Sequence, residues 1–273
     1  MSWLTDRHWF AGAVLVYAAS TLYAVFLWRK GFRRHEWTSY LLLLLGFLLN
    51  TAAMLKRGFL LHQCPVHNLY EATAFVSWGM VGAYLVLGLW PRLRFLGAFA
   101  SPVLLGVGVF ALMPSLDPPP GSQPDFAGGW PSLHAAAIML AYGAFGLASV
   151  AALMYLTQEH DLKFHQLRAI FALLPPIQRL ERISGGLVLA GFALLTLGLA
   201  ASGHIPRPEG VVYWKDAKVL WSLLVWLLYL ALLASRWRFA WLGRRFACGT
   251  VGAFAFVLLT FWGTNLLSTL HNR

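Results

Sequence analysis

"GWPSLHAAAIMLAYGAFGLAS", Gly129–Ser149, decides how the rest of the chain is read. It carries no charged residue, and the apolar run continues through Met154 and Tyr155. A helix of about 20 such residues crosses the hydrocarbon core of a bilayer. A Trp-Pro pair, Trp130 and Pro131, ends the preceding segment "MPSLDPPPGSQPDFAGG", whose proline and glycine content makes it irregular. His134 then opens the helix, with a small-residue face and Tyr142 below it.

Seven further runs of the same kind flank this one. The eight expected spans cover about 9–28, 39–56, 69–90, 95–113, 133–156, 185–202, 218–235 and 247–268. Across the 273 residues 59% are hydrophobic and only 11% charged, against roughly 25% charged in soluble domains. The expectation is an all-α integral membrane protein forming one polytopic domain over 1–273. The segments between spans are surface loops, because lipid cannot satisfy irregular backbone. No small-residue cleavage site follows the first apolar run, which therefore reads as an uncleaved span.

Numbering the loops alternately, one side collects fourteen Lys and Arg, among them Arg29, Arg94, Arg182, Arg236 and Arg245. The other side collects seven: Arg7, Lys56, Arg57, Arg207, Lys215, Lys218 and Arg273. The richer side is cytoplasmic by the positive-inside rule, so both termini face outward. The net charge of +11 thus reflects membrane orientation, and nucleic acid is not an expected partner. The two cysteines, Cys64 and Cys248, fall on opposite sides, which leaves no disulfide framework and no CxxC pair.

Six of nine histidines, including His62, His134, His204 and His271, map to the outer side. A rim imidazole can bond water or headgroups, or it can bind a metal. His271 lies in the tail "FWGTNLLSTLHNR" (Phe261–Arg273). Between it and His134 in sequence runs "GVVYWKDAKVLWSLLVW" (Gly210–Trp226), which places Tyr213, Trp214 and Asp216 at the lip of a span and Trp221 just inside. Two outer histidines flanking an aromatic loop could bracket an iron porphyrin as axial ligands, with Arg207, Lys215 and Lys218 available to its propionates. Trp130 adds a further ring at the same level.

"HQCPVHNLYEATAFVSWGM" (His62–Met80) contains a turn at Pro65 and Asn68, after which Tyr70 and Glu71 enter a span. A carboxylate is favoured at a helix start, and within a membrane it is a functional candidate by default. On the inner side, "QEHDLKFHQLRAIFALLPPIQRLERISGG" (Gln158–Gly186) reads as an amphipathic surface helix ended by Pro175 and Pro176.

Five segments together resemble the cytochrome c assembly superfamily of haem-handling membrane proteins, which includes CcsA, the HemX-type proteins and, more remotely, CcmC. They are "CPVHNLYEATAFVSWG", "WPSLHAAAIMLAYGAF", "LLPPIQRLERISGGLVLAGFALLTLGLAASG", "YWKDAKVLWSLLVWLLY" and "TFWGTNLLSTLH", and they run in family order from about 62 to 271. The resemblance implies His134 and His271 as external ligands of haem b. It implies a haem platform around Trp214, with Tyr213, Asp216, Trp221 and Trp130, and a haem-entry histidine at His62 near Glu71. It also implies a bacterial cytoplasmic membrane location, a CcsB/ResB-type partner, and apocytochrome c as recipient on the outer face.

The family's tryptophan signature is thinner here: Lys215 replaces the tryptophan before Asp216, Ala217 a proline and Val219 a glutamate. Ala234 stands where the synthase carries a second transmembrane histidine. Those departures favour the alternative, a HemX-like regulator of tetrapyrrole synthesis acting through a cytoplasmic partner. A transporter with Glu71 as proton relay ranks third, since no inverted repeat is visible. No side chain is an obvious acid–base catalyst for thioether formation, so the chain is at most a subunit of a holocytochrome c synthase.

Overall fold

Eight α-helices make up nearly all of the protein that is described in the structure, a computed structural model covering residues 5–30, 36–61, 68–117, 129–163, 176–205 and 216–267. They are α1 (Asp6–Lys30), α2 (Glu36–Leu61), α3 (Leu69–Leu87), α4 (Leu96–Ala111), α5 (Gly129–Lys163), α6 (Ile177–Ser202), α7 (Ala217–Arg238) and α8 (Arg244–Leu267). Each of the eight apolar runs falls on one helix. Among the described residues, α1, α2, α5, α6 and α7 are long and apolar enough to cross a membrane, and α4 is apolar but shorter. The bundle's flanks carry exposed leucines such as Leu15, Leu22, Leu48, Leu197 and Leu220, as expected of a membrane protein whose sides meet lipid.

Two boundaries differ from expectation. The helix α5 begins at Gly129, five residues before His134, because proline is well tolerated in a first helical turn, where its missing N–H has no helical partner to lose. Trp130 and His134 are therefore one turn apart on one helix face. The second difference concerns the expected surface helix: its first residues, up to Lys163, extend α5, and those from Ile177 onward begin α6 directly behind Pro176. Good helix formers in "IQRLER" need only a proline to start them. The stretch bearing Phe164, Leu167, Ile170 and Phe171 lies outside the described residues.

α5 is the hub, packing against α3, α4, α6 and α8. Its small residues permit this. A Cβ on Gly143 would come within 2.7 Å of the Gly79 carbonyl carbon in α3, and one on Gly191 of α6 within 2.6 Å of the Phe145 ring; close backbone approach is how helices gain packing energy in lipid. One core cluster joins α1–α5 around Tyr17, Tyr84, Leu96 and Leu147. Another joins α3 and α5–α8 around Phe145, Tyr229, Trp221 and Phe254.

Contacts between helix ends fix the alternation. Asp6 at the start of α1, Arg57 near the end of α2, Glu71 at the start of α3 and Asp117 after α4 meet in ion pairs. His134 near the start of α5 bonds Gly198 near the end of α6, and Trp221 of α7 bonds Thr260 of α8. Odd helices thus start, and even helices finish, at one end of the bundle.

Candidate functional site

At that end His134 is the pivot. Its Nδ1 lies 2.7 Å from the backbone oxygen of Gly198. A carbonyl oxygen only accepts, so Nδ1 carries the proton and a neutral imidazole keeps its lone pair on Nε2. Nε2 makes no hydrogen bond among the described residues. An imidazole held through Nδ1 by a carbonyl, with Nε2 outward, is the usual arrangement of a metal-binding histidine. Gly198 is suited to its part: a Cβ there would come within 2.8 Å of Ile138 Cγ1, so a small residue lets α6 approach closely.

One turn outward, exposed Trp130 stacks on His204, which follows α6, with ring centroids 4.4 Å apart and planes 13° from parallel. The ends of α5 and α6 are thereby joined twice, once by hydrogen bond and once by ring stacking. The ammonium of Lys218 is close enough to act electrostatically on His134, so the first turn of α7 belongs to the same region.

Asp216 is buried and caps α7: its Oδ1 accepts from the backbone N–H groups of Lys218 at 2.9 Å and Val219 at 3.3 Å. Such a cap answers donors that the helix itself leaves open. Trp221 is 6% exposed, donates its indole N–H to Thr260 Oγ1 at 2.7 Å and meets Tyr142 edge-on at 6.0 Å. It locks α5, α7 and α8 together from inside the bundle. Beside Tyr142 an apolar cavity of about 220 Å³ opens between α3, α4, α5 and α8, lined by Thr73, Val76, Phe110, Tyr142 and Phe254 among others.

Glu71 belongs to a different grouping. Its Oε1 accepts from Arg57 Nε at 2.7 Å, its backbone N–H is capped by Asn68 at 2.8 Å, and only 3% of it is exposed. The same guanidinium reaches Asp117 at 2.7 Å and Asp6 at 3.1 Å, and lies over the Tyr70 ring. Arg7 adds a bond to the Leu112 carbonyl and an ion pair to Asp117. His62, Tyr213, Trp214 and His271 lie outside the described residues. Sequence reasoning missed Arg57, Asp6 and Asp117 as a unit; the available signal was the few charges of opposite sign at four helix ends that share one side. Among the described residues no three His, Cys, Asp or Glu side chains gather as a metal site.

Apolar helices long enough to cross a membrane, with an imidazole held through Nδ1 at one end of the bundle, define the class as a helical membrane protein. The particular family follows from comparison: residues 66–271, about three quarters of the chain, match the family described as Cytochrome C assembly protein, and the chain belongs to that family. It is 28% identical to the cytochrome c biogenesis protein CcsA of Synechococcus sp. (strain CC9605), over 96% of this chain and 94% of that one. The corresponding protein of Guillardia theta is also 28% identical, with 76% of each chain covered. These relatives carry the CcsA name, and nothing in them supports the HemX-like branch.

Proposed function

We propose that this protein takes part in cytochrome c biogenesis as its CcsA relatives do, holding haem at the end of the bundle where α5 begins and presenting it there to apocytochrome c. The observation that carries this reading is the His134–Gly198 hydrogen bond, which leaves Nε2 as a ready ligand. A haem iron draws four ligands from its macrocycle and takes one imidazole on an open face, so isolated histidines suit it. His134 and His271 would hold the iron.

Trp130, Tyr213 and Trp214 flank the macrocycle, while Lys218 meets its propionates. Asp216 and Trp221 act from behind, by capping α7 and fixing it to α8. Glu71 sets the entry of α3, and His62 is the haem-entry histidine. Haem b supplies the vinyl groups to which the thiols of an apocytochrome CxxCH motif add. The chain's own contribution is to bind, orient and shield its cargo, with a CcsB/ResB-type partner contributing an outer domain. The chain crosses a bacterial cytoplasmic membrane eight times, and the Lys and Arg balance supports this end as its outer face.

The test is the haem content and absorption spectrum of the purified protein. The His134→Ala, His271→Ala double variant should lose most bound haem while keeping wild-type helix content. If it retains the wild-type spectrum and stoichiometry, the reading fails.

A further inference from the structure

The end of the bundle opposite His134 carries a turn with no part in the haem reading. "RWRFAWLGRR", Arg236–Arg245, joins α7 to α8. The nineteen α7 residues 217–235 separate it from Asp216, about 30 Å at 1.5 Å per residue, so a bilayer thickness lies between the two ends.

This turn is tightly built. The backbone N–H groups of Phe239 and Trp241 both donate to the Ser235 carbonyl, at 3.2 and 3.1 Å. Ala240 and Gly243 adopt positive φ, 49° and 63°, and Gly243 packs so near the Tyr155 hydroxyl of α5 that a Cβ would sit 2.7 Å from it. Arg236 is committed to the fold, paired with Glu181 and lying 4.6 Å from the Phe246 ring centroid.

The rest of the turn faces outward. Trp237, Phe239, Trp241 and Leu242 are 42–69% exposed. Arg238, Arg244 and Arg245 are exposed and make no ion pair among the described residues. Bulk water suits the guanidiniums and not the rings; hydrocarbon suits the rings and not the guanidiniums. The headgroup layer accommodates both, with rings at the acyl boundary and cations among phosphates. Guanidinium forks match phosphate oxygens two at a time. A zwitterionic headgroup brings its own cation to the phosphate, whereas an anionic one leaves that charge for the protein.

We propose that the α7–α8 turn is a binding site for anionic phospholipid headgroups, with Arg238, Arg244 and Arg245 on the phosphates and Trp237, Phe239 and Trp241 seated beneath them. It rests on the chain lying in a membrane and is independent of the haem reading.

The experiment is native mass spectrometry of the full-length protein in mixed micelles of phosphatidylglycerol and phosphatidylcholine, counting retained lipids. The wild type should retain phosphatidylglycerol about a hundredfold over phosphatidylcholine, the order expected of three basic residues at a charged surface. The R238Q/R244Q/R245Q variant should fall close to parity, and the matching triple lysine variant should keep most of the preference. No preference in the wild type, or an unchanged one in the glutamine variant, overturns the proposal. So does an acidic protein captured by the turn in the absence of any lipid preference.

Discussion

Arg57 Nε donates to Glu71 Oε1 at 2.7 Å, and the remaining face of the same guanidinium grips Asp117 at 2.7 Å. One side chain thus ties the end of α2 to the start of α3 and to the segment leaving α4. A buried ion pair adds little net stability over an apolar substitute, but removing one partner strands the other. Arg57→Leu should therefore cost about 3–5 kcal/mol, read as the shift in a denaturant titration of the protein in detergent. Arg7, with 31% of its side chain exposed and 3.7 Å from Asp117, is the control, since Arg7→Gln should cost about 1 kcal/mol or less. Equal losses in the two variants would show that the cluster is not organised around Arg57.

The α3–α5 contact makes a second prediction. A Cβ on Gly143 would sit 2.7–2.8 Å from backbone atoms of Gly79 and Met80, where no flexible side chain can move aside. Gly143→Val should lose about 1–3 kcal/mol through overpacking and broaden the unfolding transition. In α6, a Cβ on Gly186 meets open space, and Gly186→Ala should gain up to about 1 kcal/mol from helix propensity alone. Thermal midpoints of both variants in one detergent settle the matter, and a stable Gly143→Val protein would contradict the packing described.

The helices were legible in the sequence because a membrane imposes a length and composition that no local ambiguity can disguise. Their ends were less so: Pro131 and Pro176 read as terminators of something before them, yet both stand at the start of the helix that follows. His134 was identifiable as a rim histidine, but its orientation depends on Gly198, 64 residues away, and no spacing rule links them. Trp221 and Asp216 were read as platform residues from their neighbours in a motif. The structure puts Trp221 inside the bundle against Thr260 and gives Asp216 a capping role. A tryptophan four or five residues into a helix faces whichever side the helix rotation dictates, and that rotation is set by packing among several helices.

Trp221 separates support from contact. Trp221→Phe keeps an aromatic ring in the core but loses the 2.7 Å bond to Thr260, a loss of about 1 kcal/mol visible in the unfolding midpoint. Haem content should stay within experimental scatter of wild type, because the ring acts from behind the site. A strong fall in haem with an unchanged midpoint would place Trp221 against the macrocycle instead.

Gly198 provides the test that His134 alone cannot. Deleting the imidazole removes ligand and helix contact together, whereas substituting Gly198 leaves the imidazole in place and disturbs only what holds it. A Cβ at 198 would sit 2.8 Å from Ile138 Cγ1 and 3.4 Å from both Ala137 Cβ and the His134 carbonyl. The Ile138 side chain can rotate away from one methyl, so Gly198→Ala should bind haem nearly as well as wild type. Branched Gly198→Val pushes α6 off α5 and lengthens the bond to Nδ1, freeing the ring to rotate and to exchange tautomers. Loss of an orienting partner typically weakens metal binding about 10–100-fold. The expected result is a fall in haem affinity of that size in Gly198→Val, with helix content by circular dichroism unchanged and an altered haem absorption band in the fraction still bound. If Gly198→Val binds haem like the wild type while His134→Ala does not, the carbonyl has no orienting role and the imidazole is positioned by other means.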